Sequence, residues 1–393
     1  MTNSSRAYTL ASSSLTDLGL RREMKPGHSN NAEAVGIRYD FDTFWYDAFW
    51  DRGKIHLICP KLYGIYDPIR EGTFYVDGQP ARRVRLKKAE FFDTIQLPAR
   101  ACPDVVAFEW NGARVETRVN SALRDCDVFA GCNCAVVLSK NNDLTWIEDF
   151  ARYHRQVHGL ERMLFFDNGS TDYTIEDIEA ALNRAGLDGS VVISAPFRFG
   201  LATFDQKGKL RFSTEFLQTS LLNIARQRFL GKARAVLQCD IDELVWCDQG
   251  SIFDVTVSRL TGFVRLGVEW RYPPSKPDGL ARHSDHICAK PDDPLCRAKY
   301  CIRPSGPLGF SEWHIHTIGL LKSRGSLIAP VTEGVWHCKA ILSSPWREYD
   351  GENADDLVPN AKTRAQLQAV TWSENAGAQG KYVPRPRRDC TGA

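Results

Sequence analysis

The chain carries no excess of charge of either sign. Its 50 Lys plus Arg stand against 48 Asp plus Glu over 393 residues, a formal net charge of +2, whereas a nucleic-acid partner calls for a clear basic surplus or cluster. No nucleic acid is expected as a ligand. The two local basic runs, Arg82-Arg83-Val84-Arg85-Leu86-Lys87-Lys88 and Arg385-Pro386-Arg387-Arg388, read as a solvated strand face and a basic tail. No apolar run approaches the roughly twenty residues that cross a bilayer, and Met1-Thr-Asn-Ser-Ser-Arg-Ala-Tyr8 lacks the basic-then-apolar layout of a signal peptide. A cytoplasmic protein without a transmembrane segment is expected. The twelve cysteines show no repeated Cys-x-x-Cys spacing, which argues against a structural zinc site. They read as small buried thiols in a reducing compartment, with a disulfide among Cys288, Cys296 and Cys301 left open.

What is present describes an ordinary globular chain. With 43% hydrophobic and 25% charged residues, it can bury a large core and is long enough for two domains. Residues 1–35, rich in Ser, Asn and Arg, suggest a flexible leader. Residues 36–125 are dense in aromatic and β-branched residues. There Asp77-Gly78 and Asn111-Gly112 follow the β-type runs Thr73–Val76 and Val105–Trp110, a hairpin signal that predicts an N-terminal antiparallel β domain.

From residue 126 to about 345 strands and helices alternate. Strands are expected at Asn133–Leu138, Leu160–Phe166, Val191–Ile193 and before Asp240, and helices at Leu144–His158, Asp172–Leu182 and Phe212–Phe229. That order predicts an α/β fold, a mostly parallel sheet with helices on both faces. Ligands of such sheets bind beyond the carboxyl ends of the strands. Residues 346–393 offer a packing helix and a flexible basic tail.

Three polar clusters fall at those strand ends. The first is Ser139-Lys140-Asn141-Asn142, a loop without the glycines of a phosphate cradle. The second is Phe165-Phe166-Asp167-Asn168-Gly169-Ser170-Thr171-Asp172, where Ser170 or Asp172 would also serve simply as a helix cap. The third is Asp240-Ile241-Asp242-Glu243. Strand alternation would point Asp240 and Asp242 the same way, able to hold a hard divalent cation that bridges diphosphate oxygens. A bare Asp-x-Asp is equally at home as an acidic strand end.

The order of these features resembles glycosyltransferase family 92 and its bacterial family-2-like relatives. The polar loop comes first, then a helix with Trp146 and His154, then Phe165–Asp172, then Gln218 with Asn223 five later, then Asp240-Ile-Asp-Glu243. Downstream, Lys299-Tyr-Cys-Ile-Arg303-Pro304 and His314-Ile-His316 are similar to the family's lysine, arginine-proline and histidine run. The resemblance spans about Cys132 to His337 and implies a GT-A fold over residues 126–345. It implies transfer of a sugar, with inversion, from a nucleoside diphosphate sugar, a UDP-sugar favoured, to a saccharide or lipid-linked acceptor in surface glycan synthesis.

On that reading Asp240 and Asp242 hold Mn²⁺ or Mg²⁺, with His316 preferred to His314 as third ligand. An imidazole ligand favours manganese. Lys140, Asn141, Asp167, Asn168, Ser170, Asp172, Gln218, Asn223, Asp240, Ile241, Lys299 and Arg303 become donor contacts. Lys299 and Arg303, four apart on a strand, would share a face and grip phosphate. The catalytic base is expected to be Glu269, with Glu312 second. Glu243, outside the alternation, is not expected on the ion. The Arg385–Arg388 cluster suggests peripheral attachment to the inner membrane face. The alternatives are a sugar nucleotidyltransferase, disfavoured by the missing glycines, and a catalytically inactive carbohydrate-binding protein.

Overall fold

A computed structural model of the chain describes residues 8–24, 39–198, 202–204, 210–212, 215–324, 327–341 and 351–374. Eight strands make its main sheet: β1 (Asn133–Ser139), β2 (Arg162–Asp167), β3 (Val191–Ser194), β4 (Ala235–Gln238), β5 (Glu243–Cys247), β6 (Phe263–Arg271), β7 (Cys296–Ile302) and β8 (Glu333–Cys338). Their order across the sheet is β3-β2-β1-β4-β7-β6-β8-β5. The first four are parallel, as the alternating pattern predicted. The expected mostly parallel sheet is nonetheless mixed: β7 runs antiparallel to both β4 and β6, and β5 antiparallel to β8, while β6 and β8 are parallel. The change follows from the connections. Parallel neighbours need long crossovers, usually helical, and past β4 the helix–strand alternation yields to loops and one seven-residue helix, Ile252–Ser258.

Helices cover both faces. Helix α1 (Leu144–His158) starts on the Asp143 side chain, which accepts the Thr145 N–H, and stops at Gly159 in the left-handed region. Helix α2 (Ile175–Arg184) opens with a capping box between Thr174 and Asp177, two residues beyond the expected cap at Asp172. Helix α3 (Glu215–Ile224) continues into a π-helical turn, Ala225–Phe229. Alternation along β1 sends Ala135 and Val137 into one core with Ile147 and Phe150 of α1. Cys134 and Val136 enter the opposite core with Leu217 and Leu221 of α3.

That second core also contains Tyr46, Phe49, Ile58 and Phe92, so the N-terminal strands share apolar interior with the main sheet. These strands form two small sheets. Asp47–Asp51, Lys54–Cys59, Arg85–Lys88 and Asp93–Pro98 pair antiparallel, with Asn120–Ser121 added in parallel. Thr73–Val76, Gln79–Pro80, Val105–Trp110 and Ala113–Arg118 make the other, all antiparallel. Both predicted hairpins form, with φ of 46° and 76° at Asp77-Gly78 and 48° and 81° at Asn111-Gly112, the primed-turn geometry that this dipeptide chemistry favours. Where the two parts meet, the buried Arg228 guanidinium pairs with Asp47 at 2.9 Å and Asp125 at 2.6 Å.

The start of the chain departs from expectation. Residues 8–24, assigned to a flexible leader, are packed: Leu15 and Leu18 are buried, and buried Arg22 lies 3.5 Å from Asp40. Their apolar residues are too few and uneven to show a period, yet enough to anchor the segment. At the other end, the helix Ala361–Gln368 and residues 371–373 lie against α1, where Gln366 Nε2 donates to Tyr153 Oη at 2.6 Å. Residues 385–388 lie outside the described residues. The eleven cysteines that are described are all free, and no described helix is long and apolar enough to cross a membrane.

Candidate functional site

The loops after β1 and β2 are interlocked. Asn168 N–H donates to Ser139 O at 2.8 Å, and the Asn168 amide group donates to Ala195 O and Phe197 O at 2.7 and 2.8 Å. Asn141 N–H donates to Ser170 Oγ at 2.9 Å, its side-chain amide to Thr171 Oγ1 at 3.2 Å, and Thr171 N–H returns to Asn141 Oδ1 at 2.8 Å. Asn141 itself adopts a φ of 52°, which asparagine tolerates better than most residues. Asp167 accepts from the Gly169 and Ser170 amides and, at 2.5 Å, from Ser170 Oγ. Of the donor contacts expected here, Asp167, Asn168, Ser170 and Asn141 thus hold the two loops in shape. Lys140 is exposed, and Asp172 accepts only from its neighbour Thr171.

The acidic run follows β4 rather than ending it. The strand stops at Gln238, and Asp240 to Asp242 form a turn closed by Glu243 N–H donating to Asp240 O at 3.1 Å. The alternation argument therefore does not apply, and the carboxylates of Asp240 and Asp242 meet different partners. Asp240 Oδ2 pairs with Lys299 Nζ. Lys299 also lies 3.2 Å from Glu243 Oε2, and that oxygen accepts the Asp240 N–H at 2.8 Å. Lys299 and Glu243 are both 2% exposed. Burial by itself would drive the Lys299 ammonium down, but the Asp240 and Glu243 carboxylates outweigh it and hold the pKa above the usual lysine range. Burial raises the Glu243 carboxyl against the pull of Lys299. Glu243 is thus a counter-charge beneath the turn.

The partner of Asp242 is His337, from β8, with Nε2 3.2 Å from Oδ2. Burial disfavours the imidazolium, but Asp242 overrides it and carries His337 up to about 10. The Trp270 indole stacks on the ring at 4.2 Å, and Cys338 N–H fixes Asp242 O at 2.7 Å. At 3.2 Å the two make an ordinary ion pair, and His337 would have to give up its proton before both could ligate one cation. Asp240 is turned toward Lys299 instead, and among the described residues no three His, Cys, Asp or Glu side chains form a ready ligand set.

The expected histidine ligands have partners of their own. His316 Nδ1 is 3.2 Å from Ala298 O, and burial with nearby Lys299 and Arg297 lowers it to about 3. Buried His314 meets Phe91 edge-on at 5.6 Å, with Glu312 at 3.7 Å. Glu312 is held below the usual carboxylate range chiefly by the His314 hydrogen bond. Glu269 pairs with Arg271 at 3.0 Å. Its register partner is Trp336, whereas Trp270 partners His337, so alternation puts Glu269 on the opposite sheet face from the Asp242–His337 pair.

Arg303 is also displaced. The antiparallel register sets Gln238 against Tyr300 but Val236 against Ile302, so Lys299 lies at the Asp240 end of β7 and Arg303 about 13 Å away along the strand. There it donates to Val257 O at 3.4 Å. Asn223 brackets Trp313, donating to its carbonyl at 2.8 Å and accepting its N–H at 3.2 Å. Gln218 does reach the site. With Leu138, Phe166, Gln238 and Asp240 it lines a small cavity of about 10 Å³ at the end of β1 and β4. That is about the room one water needs, far below the roughly 300–1,000 Å³ of sites for whole drug-sized ligands.

No family model and no curated protein matches the sequence. Among solved structures, a galactosyltransferase, LgtC, in complex with donor and acceptor sugar analogues aligns over 62% of this chain and 98% of its own, at 12% identity and a TM-score of 0.31. A superposition of that quality does not establish a common fold.

Proposed function

We propose that the chain is a cation-assisted glycosyltransferase of GT-A type, moving a sugar from a nucleoside diphosphate donor to a saccharide or lipid-linked acceptor. The observation that carries the reading is the meeting of Asp240, Lys299 and Glu243 with the Asp242–His337 pair beyond β4, beside the carboxyl ends of β1 and β2. The ordered motifs that resemble family 92 support it independently.

Departure of a nucleoside diphosphate concentrates negative charge on the leaving oxygens, and preorganised cations lower that barrier. Asp242, with His337 once its proton is lost, would hold Mn²⁺ or Mg²⁺, which when bound would neutralise the diphosphate. Lys299, clamped by two carboxylates that hold its pKa above the usual lysine range, keeps a positive charge beside them at neutral pH. The interlocked loops after β1 and β2 offer a polar rim on which a donor nucleotide would rest. Trp270 lies at the opposite side of His337, where an acceptor would approach. Inversion, and a uridine nucleotide in the donor, follow from the resemblance.

A thermal-shift panel of UDP-, GDP- and CMP-sugars with Mn²⁺ or EDTA tests the proposal. One donor should raise the melting temperature only with Mn²⁺, by mass action on the folded state. It should be hydrolysed or transferred, and both effects should vanish in Asp242→Ala. NMR of the product anomer reads the stereochemistry. Stabilisation by free saccharide that ignores EDTA would identify a carbohydrate-binding protein instead.

A further inference from the structure

The turn that carries Asp240 and Asp242 has a support outside the parts discussed so far. Its central carbonyl, Ile241 O, accepts a hydrogen bond from His283 Nε2 at 2.8 Å. His283 is fully buried, and burial lowers its pKa in spite of Asp149 nearby, so the ring is the neutral tautomer protonated on Nε2. Among the described residues Nδ1 has no hydrogen-bond partner. The bond to Ile241 is the polar anchor that the ring makes with them, and packing must set its plane.

That packing comes from the C-terminal segment. The Trp372 indole lies parallel to the His283 ring, at 1° and 6.3 Å between centroids, and nearly parallel to Tyr153 of α1, at 17° and 6.1 Å. Trp372 is itself positioned at both sides. Gln156 and Thr371 exchange two hydrogen bonds of 2.9 Å, and Ser373 donates from N and Oγ to Asp149 Oδ1 at 3.0 and 2.7 Å. Asp149 is fully buried and accepts the neighbour of His283 as well: Arg282 Nε and Nη2 reach its two oxygens at 2.7 and 2.9 Å. Arg282 Nη2 closes the ring of contacts on Ser373 O and Oγ at 3.0 and 2.8 Å. One carboxylate therefore ties the C-terminal segment to the loop whose next residue holds the turn.

We infer that residues Thr371–Ser373 are a clasp that positions the Asp240–Asp242 turn through His283, and so sets the affinity of the site for its cation. His283 and Trp372 are positioning residues, since neither touches the ion or a reacting atom. The inference rests on the cation site proposed above. Groups that orient ligands at one remove typically change metal affinity about 10–100-fold when removed.

Two measurements on the full chain test it. Mn²⁺ binding, followed by the loss of the free-ion electron paramagnetic resonance signal, should weaken about tenfold in Trp372→Ala and His283→Ala, while Trp372→Phe and His283→Gln, which keep a ring and an N–H donor, stay near wild type. Hydrogen exchange by mass spectrometry should show faster exchange over residues 240–243 in the two alanine variants than in their conservative counterparts, at equal melting temperature margin from the assay. Unchanged exchange and unchanged Mn²⁺ affinity in both alanine variants overturn the clasp. A wild-type chain that binds no Mn²⁺ overturns the cation site itself, and the exchange arm then still decides whether the clasp holds the turn.

Discussion

Asp242 Oδ2 and His337 Nε2 lie 3.2 Å apart although 95 residues separate them in the chain. Strand β5 and strand β8 bring them together, because Glu243 and His337 are register partners. On the proposed reading His337 loses its proton and the pair shares a cation, which yields the most direct test. Asp242→Asn removes a charged ligand and leaves volume and fold nearly unchanged, so Mn²⁺ affinity should fall at least about tenfold, and His337→Ala should do the same. Titration calorimetry reads both. Wild-type affinity in either variant would remove the pair from the site.

Lys299 gives a prediction about stability. It pairs with both Asp240 and Glu243, and removing one partner of a buried ion pair typically costs about 3–5 kcal/mol. Lys299→Met should lower the unfolding free energy by about that much in urea titrations. Glu243→Gln in the same chain should recover part of the loss, since it removes the carboxylate left without its counter-charge. A Lys299→Met variant as stable as wild type would show that solvent, not Lys299, balances the two acids.

Acid should unfold the protein early. Burial holds His56 and His158 down to about 4 and His286 and His316 to about 3, and lowers His154 and His283 as well. Unfolded, these rings take protons near 6.5 while the folded chain refuses them. Stability is therefore complete above about pH 6.5 and falls as the pH drops toward 4. His337, raised to about 10, works in the other direction: its contribution is already full below 6.5 and is lost only as pH rises through about 10. Urea unfolding at pH 7.5, 6.5, 5.5 and 4.5 should show uptake of more than one proton along the acid limb. A flat profile down to 4.5 would contradict the buried neutral state of these rings. His154 shows why they resist charging: Nδ1 donates to Phe150 O and Nε2 accepts the Val245 N–H, so a second ring proton would break a backbone hydrogen bond.

Arg228 joins the N-terminal sheets to the π-helical turn after α3. Arg228→Ala would strand Asp47 and Asp125, both buried, and should cost about 3–5 kcal/mol. Differential scanning calorimetry should show one lowered transition for the whole molecule. Separate transitions for residues 39–121 and the remainder would show that the shared core does not couple them.

Much of the fold was legible because its signals are local. Asn111-Gly112 carries its own turn chemistry, and the apolar period of Leu144–His158 with its Gly159 stop is written in sixteen consecutive letters. The mixed half of the sheet was not, since strand direction past β4 depends on which distant strands pair. The site divides along the same line. Asp240 and Lys299, which the motif order groups at one site, do meet, but the strand stops short of Asp240, and Arg303, on the same strand face as Lys299, lies about 13 Å further along. His337 was missed altogether. In Val335-Trp336-His337-Cys338 it is a lone histidine in an apolar strand, and only pairing with β5 and β6 gives it Asp242 and Trp270 as neighbours.

The interlock of Asn141 with Ser170 and Thr171 has a thermodynamic consequence. Two crossover loops some thirty residues apart already hold each other in one conformation, so a ligand that lands on them has little left to order. Its binding there should show a small heat-capacity change and a modest entropic penalty, as expected of a preformed surface and unlike a lid that folds over its guest. The rate of capture would then depend on diffusion to an open rim, not on waiting for a rare loop conformation.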